Sequence, residues 1–197
     1  LANAVARGLM DAGVDVLDVG LGGTEMVYFA TGHLEADGGI MITASHNPAD
    51  YNGLKLVREQ SKPISGDTGL DDIRRIAERD ERQVAARQGE RKIVDISEAY
   101  RDKLLSFIDV SELGPLKIVC NAGNGGAGLT VDLLESSLPR EFHKVHHEPD
   151  GTFPNGVPNP MLEENRLSTI EAIKSSQADY GIAWDGDFDR CFFFDEN

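Results

Sequence analysis

Basic residues are scarce in this 197-residue chain, where 19 lysines and arginines face 34 acidic residues and leave a net charge of −15. Such an acidic surface repels nucleic acids and anionic membranes, so we expect neither as a partner. No apolar run of this sequence is long enough to span a bilayer, and we expect neither a membrane span nor a signal peptide. An anionic small substrate is not excluded, because a few local cations and a metal ion can reverse the charge inside a cleft.

Cysteine is equally scarce, with two residues in the chain. Cys120 and Cys191 lie in apolar, strand-like runs without the neighbouring ligands that a metal site needs. We therefore predict that both are buried free thiols. Thiols without a disulfide framework favour a reducing compartment, and we expect a cytoplasmic location.

Hydrophobic residues make up 40% of the chain, which is enough for packed cores. Strand-like and helical patterns alternate and predict an α/β fold with two consecutive domains, each a mixed sheet flanked by helices. The charged, weakly patterned segment at 85–92 predicts the boundary, which gives domains at residues 1–90 and 91–197. Elsewhere we predict a helix at 71–88 and strands at 14–19, 40–42, 54–57, 116–120, 142–147, 178–183 and 191–194.

The segment at 39–48 joins an apolar run to the polar sequence Thr-Ala-Ser-His-Asn-Pro. The run predicts a short buried strand, and the polar sequence predicts a loop with the Ser45 hydroxyl at its tip. A serine held at the end of a strand is a common arrangement for a nucleophile. The alternative is an ordinary turn, because Ser, Asn and Pro are all frequent turn residues.

Three aspartates, Asp185, Asp187 and Asp189, alternate in a loop between two predicted strands. Oxygen ligands at alternate positions of a tight loop suit a divalent metal such as Mg²⁺. Carboxylates this close repel one another without a cation, so we predict a metal site between strands. The alternative is an EF-hand calcium loop with Glu196 at its last ligand position, but Arg190 stands where that loop needs glycine and no helix is predicted on either side.

Residues 123–128 fit the pattern G-x-G-x-x-G between a predicted strand and a predicted helix, as in dinucleotide-binding proteins. Glu141 and Glu148 lie near the offset of a ribose-binding acid. The alternative is that the glycines only permit a close strand-to-helix turn. Because the second half of a nucleotide fold is not evident after this segment, we predict no bound nucleotide cofactor.

Single basic residues are ambiguous on their own. His46 is either a proton carrier or a hydrogen-bond partner within its loop, and Lys55 is either a site residue or a solvated strand lysine. We expect His143, His146 and His147 at the surface of a strand and its exit. Their spacing would permit a metal, but no acidic or cysteine partner is evident, so we predict none there.

Together, the sequences at 43–48 and 185–190 resemble two motifs of the α-D-phosphohexomutases. The first resembles the phosphoserine loop of that family, and the second resembles its Mg²⁺ loop. The stretches at 23–31, 50–55, 64–69 and 148–155 most resemble the bacterial phosphomannomutase branch. The resemblance extends over nearly the whole chain, and it assigns residues 123–128 to the opening turn of the second domain.

The resemblance implies an isomerase that interconverts hexose 6-phosphate and hexose 1-phosphate, with mannose phosphates as the first expectation and phosphoglucomutase or phosphoglucosamine mutase activity as alternatives. Ser45 would carry the phosphoryl group and donate it to the substrate, with hexose 1,6-bisphosphate as the intermediate. Mg²⁺ would be held by Asp185, Asp187, Asp189 and one phosphoserine oxygen of Ser45. A calcium-binding or nucleotide-binding module is the alternative from a different class.

The same resemblance implies roles for three further residues. Lys55 would lie beside the transferring group as a general acid and base, because a nearby cation disfavours its charged form. His46 and Arg190 would orient the phosphate and the serine loop.

The resemblance also bears on the extent of the chain. The family has four domains, and this chain resembles most of the first and nearly all of the second. A helical pattern at 1–12 with no strand before it agrees with a start inside the first domain. We therefore expect this fragment alone to be inactive and the sugar preference to be set by the third and fourth domains.

Overall fold

The computed structural model describes residues 1–79 and 84–195. Its internal contacts form two units that are interleaved along the chain. The first unit contains Leu1–Gly20, Val27–Ile42 and Leu54–Ile96. The second contains Leu21–Met26, Thr43–Gly53 and the described residues from Ser97 onward, so the serine loop belongs to it. The folding boundary after residue 90 stays a prediction.

The first unit is built from short elements. In chain order they are α1 (Ala2–Asp11), β1 (Val16–Asp18), most of α2 (Thr24–His33), β2 (Gly38–Ile42), β3 (Leu54–Arg58), a 3-10 turn (Glu59–Ser61), β4 (Lys62–Pro63), a second 3-10 turn (Gly66–Thr68), α3 (Leu70–Glu78) and β5 (Arg91–Ile93). β1 pairs in parallel with β5, and β2, β3 and β4 form an antiparallel sheet in that order.

Close packing of α2 on β2 positions the strand that leads to the serine loop. A Cβ at Gly39 would lie 2.4 Å from Thr31 Oγ1 and 2.8 Å from a methyl carbon of Val27. Only glycine permits this approach of helix to strand. Val27, Thr31 and Val57 are all buried and form part of the core of this unit.

The prediction of a helix at 71–88 was wrong in its second half. α3 ends at Glu78, residues 80–83 lie outside the described residues, and residues 84–90 are not helical. The backbone N–H groups of Ala85 and Gly89 instead donate to the carbonyls of Asp11 and Met10 at the end of α1. This segment is followed directly by β5, a strand that we did not predict because its sequence, Arg-Lys-Ile, is largely charged.

The second unit contains a four-stranded mixed sheet with helices on both faces. Its elements are α4 (Ser97–Leu105), a 3-10 turn (Val110–Glu112), β6 (Leu116–Asn121), α5 (Ala127–Glu135), β7 (Arg140–Val145), a 3-10 turn (Glu163–Arg166), α6 (Leu167–Ser176), β8 (Tyr180–Trp184) and β9 (Cys191–Phe194). The strand order is β7-β6-β8-β9, with β6 parallel to both neighbours and β9 antiparallel to β8. The predicted α/β class with mixed sheets is confirmed.

Alternate residues of β6 supply the two halves of the core. Ile118 and Cys120 pack with Val131 of α5 on one face of the sheet. Val119 packs with Ala172 and Ile173 of α6, together with Ala178, on the other face. Each face of the central strand is therefore covered by one helix, as the period of two along a strand requires.

The two cysteines differ in environment. Cys120 is 2% exposed, and burial raises the pKa of its thiol to about 12. Cys191 is exposed, so the prediction that both thiols are buried was wrong for this residue. It lies on the edge strand β9, where residues 191 and 193 point away from the core.

β6 lies between β7 and β8. The chain passes from β6 to β7 on one side and then returns past β6 to β8 on the other, so the direction of strand addition reverses at β6. In open α/β sheets the carboxyl ends of the strands at such a reversal form the usual crevice for ligands. The glycine-rich segment at 123–128 follows β6, and the aspartate loop follows β8. None of the described helices is both long enough and apolar enough to cross a membrane.

Candidate active site

The aspartate loop, residues 185–190, is a tight connection between β8 and β9. The N–H of Asp185 donates to the carbonyl of Arg190 at 3.3 Å, and the N–H of Phe188 donates to the carbonyl of Asp185 at 3.0 Å. Phe188 has a φ of 46°, which gives the loop its sharp turn. The predicted placement of this loop between two strands is confirmed, and the helix-flanked EF-hand arrangement is wrong for the described residues.

Three carboxylates converge in this loop. One oxygen from each of Asp185, Asp187 and Asp189 lies within 4.8 Å of the others. Asp185 is 1% exposed and Asp187 is 3% exposed, whereas Asp189 is open to solvent. Glu196, the last ligand position in the calcium alternative, lies outside the described residues.

The donor set of the loop fits a divalent cation. All three side chains offer hard oxygen ligands, which Mg²⁺ and Ca²⁺ prefer. Three carboxylates carry three negative charges, and Arg190 beside them offsets one. Because two of the carboxylates are almost fully buried, a doubly charged cation at this point would remove much of their mutual repulsion.

Arg190 closes the loop onto its first aspartate. Its N–H donates to Asp185 Oδ1 at 3.2 Å, and its Nε donates to Asp185 Oδ2 at 3.1 Å. Nε also lies 3.5 Å from Asp189 Oδ1. Burial lowers the pKa of Arg190, but its hydrogen bond to Asp185 and the three aspartate charges outweigh this effect, so the pKa is raised. The guanidinium therefore keeps its positive charge at the site.

The serine loop holds Ser45 in an unusual backbone conformation. Ser45 has a φ of 52°, in the left-handed region that residues other than glycine seldom adopt. Its N–H donates to Thr43 Oγ1 at 2.8 Å. Asn47 secures the turn from the other side, because its N–H and its Nδ2 both donate to the carbonyl of Ala44. Strain of this kind in a polar loop is typical of functional sites.

The Ser45 hydroxyl lies directly against the aspartate loop. Its Oγ donates to Asp185 Oδ2 at 2.7 Å and accepts from Arg190 Nη2 at 2.9 Å. His46 Nδ1 is 3.2 Å from the same oxygen and also contacts Arg190 Nη2. Four of the predicted site residues, from two distant segments of the chain, therefore form one cluster.

The glycine-rich segment at 123–128 packs directly against the backbone of the aspartate loop. The N–H of Gly126 donates to the carbonyl of Gly186 at 3.0 Å, and a Cβ at Gly125 would lie 2.5 Å from that carbonyl oxygen. The ring of Phe188 fills the space beside Gly23 and Gly126. The glycines of this segment therefore permit close packing between the two loops.

Two threonines that the sequence analysis did not single out contact the aspartate loop. Thr43 Oγ1 donates to Asp187 Oδ2 at 2.8 Å, and Thr24 Oγ1 donates to the same oxygen at 3.2 Å. Thr24 is anchored further because its N–H donates to the carbonyl of Asp187. Thr43 stands inside the resembling motif at 43–48, which is the one signal in the sequence that pointed to it.

Lys55 lies on β3 in the first unit, where it is half-buried and opposite Met41 in the antiparallel pair. Its role as a general acid and base stays a prediction.

The three neighbouring histidines do not share one environment. His143 is exposed on β7, and burial lowers the pKa of His146. His147 is largely buried, and its Nε2 lies 2.8 Å from Asp132 Oδ1 on α5. The expectation of surface histidines without an acidic partner was therefore wrong for His147, because the partner comes from a helix rather than from the adjacent sequence.

Comparison with known families and proteins assigns both halves of the chain. The family described as phosphoglucomutase/phosphomannomutase, alpha/beta/alpha domain I, matches residues 1–84, and domain II of the same family matches residues 98–197. A protein of Xanthomonas campestris pv. campestris (strain B100) described as "Phosphohexose mutases" is 59% identical over 199 residues, which cover 99% of this chain and 44% of that protein. A phosphomannomutase of Vibrio cholerae serotype O1 is 56% identical over 202 residues, which cover 100% of this chain and 44% of that protein.

A solved structure agrees with these matches. The crystal structure of a phosphoglucomutase/phosphomannomutase family protein from Burkholderia thailandensis superimposes with a TM-score of 0.83 at 34% identity, and the match covers 99% of this chain and 43% of that one. The chain thus spans less than half the length of each of these three proteins. With both domain matches in chain order and this fold, the chain belongs to the phosphoglucomutase/phosphomannomutase family and comprises its α/β/α domains I and II.

Proposed function

We propose that this chain is the part of a phosphomannomutase that carries the phosphoryl-transferring serine and its metal site. One observation carries the proposal: Ser45 Oγ is hydrogen-bonded to Asp185, a member of the three-aspartate cluster, and to Arg190. A hydroxyl, a set of hard oxygen ligands and a guanidinium within one cluster are the parts that phosphoryl transfer requires. The substrate class is a phosphorylated hexose, and the cytoplasm is the proposed location.

The proposed reaction exchanges phosphoryl groups between Ser45 and the sugar. The bond from phosphorus to Ser45 Oγ breaks as a new bond forms to the free hydroxyl of a hexose monophosphate. That hydroxyl gives up its proton to a base, and Ser45 Oγ takes up a proton as it leaves. The products are unmodified Ser45 and a hexose 1,6-bisphosphate. The bisphosphate then reorients and transfers its other phosphoryl group to Ser45 Oγ. The products of this second step are phosphorylated Ser45 and the isomeric hexose monophosphate.

The chain's own residues prepare Ser45 for these steps. Asp185 Oδ2 accepts a hydrogen bond from the hydroxyl of Ser45 and so fixes the orientation of that side chain. Arg190 Nη2 donates to Oγ, and a planar guanidinium in this position suits the oxygens of a phosphoryl group. His46 restricts Oγ from its other side. These contacts position Oγ as the nucleophile for the second step, in which the bisphosphate returns a phosphoryl group, and such positioning lowers much of a phosphoryl-transfer barrier.

We propose Mg²⁺ as the cation of the site, held by Asp185, Asp187, Asp189 and one oxygen of phosphorylated Ser45. When bound, it would neutralise negative charge on the phosphoryl oxygens. The burial of Asp185 and Asp187 favours this role, since a charge acts more strongly where water is excluded.

Phosphate mapping tests the nucleophile. The chain, as part of a protein of the full length of its relatives, is incubated with hexose 1,6-bisphosphate and Mg²⁺, and the intact mass and phosphopeptides are measured. We expect one phosphate on Ser45, none on the Ser45→Ala variant, and normal labelling of a control variant, Ser106→Ala, at an exposed position outside the site. Phosphate on another residue would contradict the assignment of Ser45.

Calorimetric titration tests the metal. We expect Mg²⁺ to bind the wild-type chain and to bind Asp187→Asn much more weakly. Asp179→Asn serves as the control, because Asp179 lies at the opposite end of the sheet, where it accepts from the N–H of Lys117. Equal affinity of wild type and Asp187→Asn would contradict the proposed metal site.

Sugar preference is tested in a protein of the same length as the relatives. We expect faster turnover of mannose 1-phosphate than of glucose 1-phosphate. The reverse order would make the protein a phosphoglucomutase and leave the roles of Ser45 and the aspartates unchanged.

A further inference from the structure

Thr43 bridges the serine loop and the aspartate loop with a single hydroxyl group. Its Oγ1 donates to Asp187 Oδ2 at 2.8 Å and accepts from the N–H of Ser45 at 2.8 Å. A threonine hydroxyl has one donor hydrogen and two acceptor lone pairs, so it makes both bonds at once. The carboxylate of Asp187 and the backbone N–H of Ser45 are 142 residues apart in the chain, and no local pattern joins them.

The backbone of Thr43 is fixed independently of either partner. Its N–H donates to the carbonyl of Gly53 at 3.0 Å, and a Cβ at Gly53 would lie 2.6 Å from the carbonyl oxygen of Thr43. The hydroxyl therefore projects from a braced position. Both hydrogen bonds use this one hydroxyl. A shift of Asp187 that turns the hydroxyl therefore alters its bond with the N–H of Ser45, and a shift of the Ser45 backbone alters its bond with Asp187.

We propose that Thr43 is a positioning residue that couples cation binding at the aspartate loop to the backbone conformation of Ser45. The inference deepens the proposed function and rests on its metal site. The bond to Asp187 is charge-assisted and holds a carboxylate of the cation site in place. The bond from Ser45 holds a residue whose φ of 52° is costly without support. Because the two bonds share one hydroxyl, occupancy of the cation site steadies the serine loop, and by thermodynamic reciprocity a steady serine loop favours the cation.

Thr24 provides a comparison that distinguishes the support of Asp187 from the support of Ser45. Its hydroxyl donates to the same oxygen of Asp187 at 3.2 Å, whereas the N–H of Ser45 donates to the hydroxyl of Thr43. Loss of the Thr24 hydroxyl should weaken the support of Asp187 alone. Loss of the Thr43 hydroxyl should weaken Asp187 and release Ser45 together.

The test compares four variants of the chain: Thr43→Val, Thr43→Ser, Thr24→Val and Thr169→Val. Thr169 is the matched control, because it is fully buried in the same unit and its hydroxyl accepts from Asn121 Nδ2, outside the site. Two quantities are measured for each variant. Calorimetry gives the Mg²⁺ affinity, and amide hydrogen exchange gives the protection of residues 44–47 with and without Mg²⁺.

We expect Thr43→Val to bind Mg²⁺ about 10- to 100-fold more weakly, as is usual for loss of a partner that orients a metal ligand. At saturating Mg²⁺ it should also lack the protection of residues 44–47 that wild type gains. Thr43→Ser keeps the hydroxyl and should restore both properties. Thr24→Val should bind more weakly yet gain full protection at saturation, and Thr169→Val should match wild type in both.

Wild-type affinity and protection in Thr43→Val would overturn the proposal, and so would an equal loss of protection in Thr24→Val. If Thr43→Val does not fold, Thr43→Ala replaces it with the same readouts. If wild type binds no Mg²⁺, the proposed metal fails, and exchange at Ser45 without metal decides the role of Thr43. Faster exchange in the valine variant than in the serine variant then supports the hydrogen bond to Ser45, and equal exchange overturns it.

Discussion

A side chain at Gly186 would collide with Ser45, because an ideal Cβ at Gly186 lies 2.6 Å from the Ser45 carbonyl oxygen. The aspartate loop and the serine loop therefore meet through their backbones, and a glycine stands at the point of contact. This closeness lets the side chains of Asp185 and Arg190 reach Ser45 Oγ.

The Gly186→Ala variant should lose both stability and function of the site. The added methyl group forces the two loops apart at a backbone atom that has no rotamer to change, so we expect destabilisation of about 1–3 kcal/mol, weaker Mg²⁺ binding and less phosphate on Ser45. Urea denaturation, calorimetry and phosphopeptide mapping measure the three effects. Gly151→Ala is the control, because a Cβ there meets nothing within 4 Å. Equal behaviour of the two variants would show that the contact is dispensable.

Nucleotides should not stabilise the chain, despite the G-x-G-x-x-G pattern at 123–128. A ligand present at 100 times its dissociation constant stabilises a folded protein by about 2.7 kcal/mol, which a melting curve detects easily. We expect no shift with NAD, and we expect Gly125→Val to lower the melting temperature, because a Cβ at this position lies 2.5 Å from the carbonyl oxygen of Gly186. A shift with NAD that Gly125→Val abolished would restore the nucleotide interpretation.

The two thiols should react at very different rates. Burial raises the pKa of Cys120 to about 12, so its reactive thiolate is rare at neutral pH and shielded as well. Cys191 is exposed on β9. We expect iodoacetamide to modify Cys191 in the native protein and Cys120 only after unfolding, as mass mapping of alkylated peptides would show. Equal labelling of both in the native protein would contradict the packing of β6.

The first unit should lose stability in acid through Asp18. The hydrogen bond from Arg91, followed by that from the N–H of Gly20, holds the pKa of Asp18 below its ordinary value of 3.8. The unfolded chain therefore takes up the proton first as the pH falls. The contribution of Asp18 is present in full above the ordinary pKa and is lost as the pH drops through the folded value.

The Asp18→Asn variant tests this dependence. Asp18 and Arg91 are partly exposed, and solvent screening limits the pair to about 1 kcal/mol or less. We expect the variant to be less stable than wild type at neutral pH and to approach it below the ordinary aspartate pKa, in urea titrations across that range. A constant difference at every pH would show that the carboxylate charge is not the cause.

Local patterns predicted the regular elements well where hydrophobic periodicity was strong. The apolar run at 116–120 and the run at 191–194 became β6 and β9, because a strand buried between helices or paired with a neighbour needs continuous apolar sequence. Prediction failed at 85–93, where charged residues gave no period. There the hydrogen bonds of Ala85 and Gly89 to the end of α1, and the pairing of β5 with β1, decide the backbone.

The same division holds for the candidate site. The residue types of the serine and aspartate motifs indicated their chemistry from the sequence alone, because few functions use a hydroxyl, paired carboxylates and a guanidinium together. Their meeting was not readable from any window of the chain, since Ser45 and Asp185 are 140 residues apart. The threonine contacts with Asp187 and the pairing of His147 with Asp132 were hidden for the same reason.

The sequence by itself thus determined the α/β class, the family and the chemical groups of the candidate site, because these depend on residue type, order and local period. Only the tertiary structure decided which hydroxyl braces which carboxylate, why glycine is needed at Gly125 and Gly186, and which cysteine is open to solvent. These properties depend on contacts between distant segments. Such contacts are set by how the loops at the carboxyl ends of β6 and β8 pack together, and no local pattern specifies them.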